Sequence, residues 1–132
     1  MINTDIYNYV NILDKAADAA NLRNQLITNN IANASTPNYK RKDINFESIL
    51  QAELAGEKTL QAAVSKANYD LSVLDPQVFT DNSSLSYRLD GNNVDIATEE
   101  AYLAENTIKY NTLVDLMNQE FGRYETVLKS GS

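Results

Sequence analysis

Apolar residues recur in alternating steps of four and three at both ends of this chain, and the two stripes differ in bulk. Ile6, Val10, Leu13, Ala17, Ala20, Asn24, Ile27 and Ile31 form the first. Leu103, Thr107, Tyr110, Val114, Met117, Phe121, Tyr124 and Leu128 form the second, widened by Leu113 and Leu116. This is the spacing of helices that present one seam to a partner. Thr4 is the expected N-cap of the first helix, with Asp5 in its first turn. Asp95 is the expected N-cap of the last, with Glu99 and Glu100 near the positive helix end. A helix over 5–33 is about 43 Å long, and one over 96–129 about 50 Å. The alanines thin the first seam where the second is bulky, which is the large-into-small match a packed pair requires. The spacing predicts a mainly α fold. Long N- and C-terminal helices pair as an antiparallel coiled-coil-like hairpin, with both chain ends together and a small irregular middle region. Asn24, beside Asn21 and Gln25, is expected at a polar edge facing water.

The first helix must stop by about Ser35, because Pro37 lacks an N–H and disfavours helix at Thr36. Asn29, Asn30, Asn33, Ser35 and Thr36 carry side chains that satisfy loose carbonyls and bridge to a turn. Residues 1–36 are therefore read as an N-terminal helical segment. Residues 37–94 are read as an extended exit, a short helix and an irregular or β middle. Residues 95–132 are the C-terminal helix, and the three segments make one domain.

Within the middle, Phe46, Ile49, Leu50 and Leu54 have helical spacing, with Asn45 as cap and Gly56 as stop. Leu60 to Lys66 adds a turn or two. Tyr69, Leu71 and Val73 alternate with polar residues, as do Leu85, Tyr87 and Leu89, and each set reads as a short strand. Asp90-Gly91 reads as a turn. Lys40-Arg41-Lys42 is the one basic cluster, read as a solvated loop, with contact to an acidic neighbour as the functional alternative.

Chemistry is mostly excluded by composition. There is no cysteine and no histidine, so thiol chemistry, disulfides and the commonest general base and metal ligand are missing. The net charge of −7 argues against nucleic-acid binding, which needs a surplus of Lys and Arg. The four glycines make no phosphate loop. Asp90-Gly91-Asn92-Asn93-Val94-Asp95 departs from a calcium loop at Val94 and Asp95. Glu99, Glu100 and Glu105 are read as helix-start and solvated carboxylates. No catalytic, cofactor or metal site is expected, and no small-molecule substrate. No apolar run is long enough to span a bilayer. Met1-Ile2-Asn3-Thr4-Asp5 has neither a basic start nor an apolar core, so a cleavable secretory signal is not expected. Tyrosine outnumbers phenylalanine eight to three, which favours protein–protein contact. Tyr110 and Tyr124 suit the rim of the helix pair. Tyr7 and Tyr39 lie off the seams and are read as candidates for contact between subunits.

Asn30-Ile31-Ala32-Asn33, followed by Thr36-Pro37 and Tyr39-Lys40, resembles the N-terminal signature of the bacterial flagellar axial proteins, the rod and hook family. Asp90-Gly91-Asn92-Asn93-Val94-Asp95-Ile96, then Leu103-Ala104-Glu105-Asn106, Tyr110 and Phe121, resembles the C-terminal region of the proximal rod members. The two stretches cover most of both terminal segments, and the middle adds little. Two departures stand out. Pro37-Asn38 replaces the usual Pro-Gly, which Asn tolerates by entering left-handed conformations. Ile96 stands where Leu is frequent.

The resemblance implies a structural subunit of the flagellar basal-body rod, with no enzymatic activity. It implies synthesis in the cytoplasm, export by the flagellar type III apparatus without a cleaved leader, and residence in the periplasmic rod. Implied partners are other rod proteins, the rod–ring adaptor protein, the inner-membrane ring protein and the export gate, with self-association in the rod. Rod and hook subunits carry a Phe-x-x-x-apolar export-gate motif, which Phe46 to Leu50 matches. The implied assembly seam is Ile6, Val10, Leu13, Ile27, Ile31, Leu103, Tyr110, Val114, Met117, Phe121, Tyr124 and Leu128. The alternative is a soluble helical adaptor or flagellar export chaperone using the same seams.

Overall fold

Two long helices lie side by side in a computed structural model that describes residues 4–82 and 88–131. Helix α1 is Thr4–Ala32. Strand β1 (Lys42–Ile44), helix α2 (Phe46–Leu54) and helix α3 (Leu60–Ala67) follow. A 3₁₀ turn (Leu71–Leu74) leads into strand β2 (Val78–Thr80), and helix α4 (Ile96–Ser130) closes the chain. Contacts between α1 and α4 run in opposite directions. Tyr7 meets Tyr124 edge-on with ring centroids 5.3 Å apart. Asn106 reaches Ala20 and Asn24, and Asn30 reaches Glu99. Among the described residues, no helix is long and apolar enough to cross a membrane.

The main cluster of buried apolar side chains joins α1 to the middle of the chain, while Ala17, Ala20 and Ile27 of α1 are buried outside it. Ile12 and Ala19 of α1 pack with Ile44, Phe46, Val64, Ala67 and Leu74 from the middle of the chain. The middle region is therefore a core-forming layer rather than an irregular insert. The alanines at 16 and 19 let α2 and α3 approach α1, so one helix serves two partners on different faces. Asn68 fixes the end of α3 to α1. Its amide nitrogen donates to the Asn8 carbonyl at 2.9 Å, and its oxygen accepts from Asn11 at 2.9 Å.

α2 begins after Asn45, whose side chain makes no capping bond; its carbonyl accepts from Ser48 Oγ instead. The strand expected at Tyr69, Leu71 and Val73 is not one. Tyr69 closes the turn after α3, and Asp70 caps the 3₁₀ turn by accepting from Ser72 N. Asp70 and Ser72 hydrogen-bond locally, which competes with a ladder. The expected strand at Leu85 and Tyr87 lies outside the described residues; Leu89 sits exposed in a turn. The sheet is β1 with β2, antiparallel, with Lys42 opposite Thr80, Asp43 opposite Phe79 and Ile44 opposite Val78.

Candidate functional site

The end of α1, the exit segment and the start of α4 are fastened by carboxamides and one ion network. Asn29 and Asn33 close the helix: the Asn33 amide nitrogen donates to the Asn29 carbonyl at 2.8 Å, and Thr36 Oγ1 donates to Asn33 Oδ1 at 3.2 Å. Pro37-Asn38 then makes a turn closed by Tyr39 N donating to Thr36 O at 3.3 Å. Asn38 takes φ 61° there, the left-handed position that Pro at the preceding residue sets up. Gly91 faces this turn; a Cβ on it would come 2.7 Å from Asn38 Oδ1.

Asn30 is fully buried and uses both ends of its amide twice. Nδ2 donates to Lys42 O at 2.9 Å and to Glu99 Oε2 at 3.1 Å. Oδ1 accepts from Lys42 N at 2.9 Å and from Tyr39 Oη at 3.1 Å. All four of its hydrogen-bonding positions are filled. Asn92 is equally buried, donating to Asn33 O and Thr36 O and accepting from Val94 N. Asn93 wedges between strands, accepting from Arg41 N at 2.7 Å and donating to Asp81 O at 2.6 Å. Asp95 caps α4 by accepting from Thr98 N at 3.3 Å.

Arg41 is the centre of the ion network. Its guanidinium donates to Glu99, to Asp81 at 3.0 Å and to Asp43 at 3.0 Å. Arg23 joins through Asp43 at 2.9 Å, and both guanidiniums lie over the Tyr102 ring. Burial opposes the charges of Arg23 and Arg41, but their carboxylate partners outweigh it, so both arginines are held above their ordinary value. Burial likewise pushes the Asp43 carboxyl up. Hydrogen bonds from Arg23, Ile44 N and Arg41 win, and hold it below its ordinary 3.8. A carboxyl depressed on folding contributes stability that is present above the unfolded value and lost as pH falls through the folded one. The thermal midpoint should therefore show no Asp43-dependent loss from pH 7 to 5, and fall below about pH 4. Asp43→Asn should flatten that acid decline, as followed by circular dichroism.

Three readings from the sequence change here. Lys40-Arg41-Lys42 is not a solvated loop: Arg41 is internal, Lys40 donates to Gly91 O, and only Lys42 is exposed. Two of the three carboxylates that claim Arg41, Asp81 and Glu99, come from distant segments. Glu99 is buried in the network rather than solvated, because the exit segment crosses over the start of α4. Asn24 faces α4, accepting from Asn106 Nδ2 at 2.8 Å, since the antiparallel register puts two amides opposite each other. Tyr7 and Tyr39, the candidates for contact between subunits, also meet Tyr124 and Asn30 inside the chain, and Tyr7 stays 46% exposed. Nothing in the local sequence marks Arg23, Asp43, Asp81, Asn92, Tyr102 and Asn106 one by one for these roles. The run of asparagines around 92 was the available signal.

The seam residues divide. Ile27 is buried, and Val10, Leu13, Ile31, Leu103, Tyr110, Val114, Met117 and Tyr124 are half-buried. Phe121 and Leu128 remain 53% and 51% exposed. Ile6 lies outside the described side chains. Among the described residues, Glu99 and Asn106 are the buried residues of α4, so one neighbouring helix leaves its apolar stripe largely uncovered. Of the export-motif pair, Phe46 is buried in the core and Leu50 packs against it half-buried. Of the exit signature, Asn30 is buried, Ile31, Asn33, Tyr39 and Lys40 are half-buried, and Ala32, Thr36 and Pro37 are exposed. Among the described residues no group of acidic side chains is placed to hold a metal.

No protein-family model matches the chain. The chain is 34% identical over 119 residues to the flagellar basal body rod protein FlgB of Bacillus subtilis, covering 90% of this chain and 92% of that protein. It is 38% identical over 109 residues to the protein of the same name from Cereibacter sphaeroides, covering 81% and 83%. The Escherichia coli protein of that name is 30% identical over 125 residues, covering 87% and 91%. At these identities, over nearly the full length of each relative, the chain belongs to the family of flagellar basal body rod proteins FlgB.

Proposed function

We propose that this chain is a structural subunit of the proximal flagellar rod, exported by the type III apparatus and assembled through its terminal helices. Its neighbours are other rod proteins, the rod–ring adaptor protein and the inner-membrane ring protein. The observation that carries this reading is the unequal finish of the helix pair. One end is locked by buried, fully hydrogen-bonded polar groups. The other leaves Leu116, Phe121, Val127 and Leu128 exposed on α4. An apolar stripe of this kind needs a partner surface, and α1 is already occupied on two faces. Packing of α1 and α4 against the same helices of neighbouring subunits, in coiled-coil fashion, supplies that surface.

Export reads the chain before it folds. Phe46 is buried in the native core, so a Phe46–Leu50 motif is available to a gate only while α2 is undocked. In a strain lacking its own copy, the wild-type chain should restore rods. Phe46→Ala with Leu50→Ala should cut secretion at unchanged intracellular level. Ile12→Ala removes a core side chain at a comparable cost of about 2–5 kcal/mol, yet should leave secretion intact, because unfolding does not hinder export. Equal secretion of the double variant and the Ile12 control removes the motif from the account.

A further inference from the structure

Among the described residues, the two-stranded sheet has one edge largely sealed and one open. Asp81 N donates to Arg41 O at 2.9 Å, which fixes the alternation of the antiparallel ladder. Residues 41 and 81, and then 43 and 79, are hydrogen-bonded pairs, so the backbone groups of Lys42, Ile44, Val78 and Thr80 point outward. On β1 three of these four groups are satisfied, all but the Ile44 carbonyl. The Asn30 carboxamide bonds both Lys42 N and Lys42 O, and Asp43 Oδ1 accepts from Ile44 N. On β2, among the described residues, no hydrogen bond reaches the outward groups of Val78 or Thr80. All of β2 is exposed, with Val78 at 50% and Phe79 at 43%.

We propose that β2 is a docking edge for a second copy of this chain, pairing antiparallel with its own β2 about a two-fold axis at Phe79. The strand is self-complementary in the required parity. Val78 and Thr80 of one copy exchange hydrogen bonds with Thr80 and Val78 of the other, and Phe79 faces Phe79 in the close, non-bonded pair where aromatic contact is favoured. Charge permits it. Pro76 to Thr80 carries no charged residue, and the flanking Asp75 and Asp81 are already paired with Lys15 and Arg41. In this register Asp81 lies opposite Gln77, so no carboxylate opposes another. The pair makes a four-stranded sheet whose outer edges are the β1 strands, each largely covered by Asn30 and Asp43. A two-fold contact closes on itself and does not propagate, so the dimer is a state of the unassembled chain, distinct from a rod lattice.

The chain lacks cysteine, which makes a trap clean. Phe79→Cys should oxidise to a disulfide dimer at least about tenfold faster than the equally exposed control Val73→Cys, because the two-fold axis places position 79 opposite itself. In sedimentation velocity the full chain should show a monomer–dimer equilibrium below about 1 mM. Val78→Pro removes an outward N–H without touching the β1–β2 ladder, and should weaken that dimer by roughly tenfold or more. Phe79→Lys should do the same, and decides the matter if Val78→Pro alters the circular dichroism spectrum. A chain that stays monomeric, a dimer indifferent to both substitutions, or equal trapping at 73 and 79 overturns the proposal. A monomer that binds only a different protein's strand at this edge overturns it too.

Discussion

Glu99→Ala is expected to lower stability by about 3 kcal/mol, the scale for breaking a buried ion pair. Glu99 is 1% exposed and takes bonds from Arg41 and Asn30 at once. Its loss strands part of a buried guanidinium and one amide donor. Asp43 and Asp81 still neutralise Arg41, which keeps the cost at the lower end of the range. In urea unfolding followed at 222 nm, a loss of this size moves the midpoint by about 1–3 M. Glu100→Ala, one residue on and exposed, should stay within about 0.5 kcal/mol of the parent chain. Equal effects of the two substitutions would mean that the network does not hold the exit segment to α4.

The second large effect is on assembly rather than folding. Phe121 is half exposed in the single chain, so Phe121→Asp should cost the monomer little. In a rod, the same carboxylate would sit unpaired against an apolar neighbour, at several kcal/mol per subunit. Rod-containing basal bodies should then be lost while the chain is still made at normal level. Glu120→Gln, next to the stripe and paired with Arg123 on the surface, should be mild. Rods built by Phe121→Asp but not by Glu120→Gln would place the assembly face elsewhere on α4.

Local signals were the legible ones. Helix periodicity located α1 and α4, Asp95 was readable as a cap, and Pro37 set the end of α1 near its observed place. Spacing at Phe46, Ile49, Leu50 and Leu54 located α2. Long-range pairing was not legible. Nothing local says that Arg41 meets a carboxylate 58 residues away, or that Asn30 meets one at a separation of 69. The strands have three residues each, too short for a period-2 pattern to register. The alternation at Tyr69, Leu71 and Val73 was real, but Asp70 and Ser72 bond each other locally and spend it on a 3₁₀ turn. The second buried face of α1, at Ile12 and Ala19, is illegible for a related reason. A stripe on α1 shows that one face is buried, not which of two neighbours buries it.

Placement of the chain in the rod wall, built in through α1 and α4, is the proposal with the widest reach. A density map of basal bodies purified from cells making this chain tests it most directly. The account predicts paired helices of about 43 and 50 Å in the proximal rod. The Phe121 and Leu128 face should be covered by a neighbouring subunit. Basal bodies that contain an intact proximal rod with no density for this chain, while the chain stays in the cytoplasm, would contradict it.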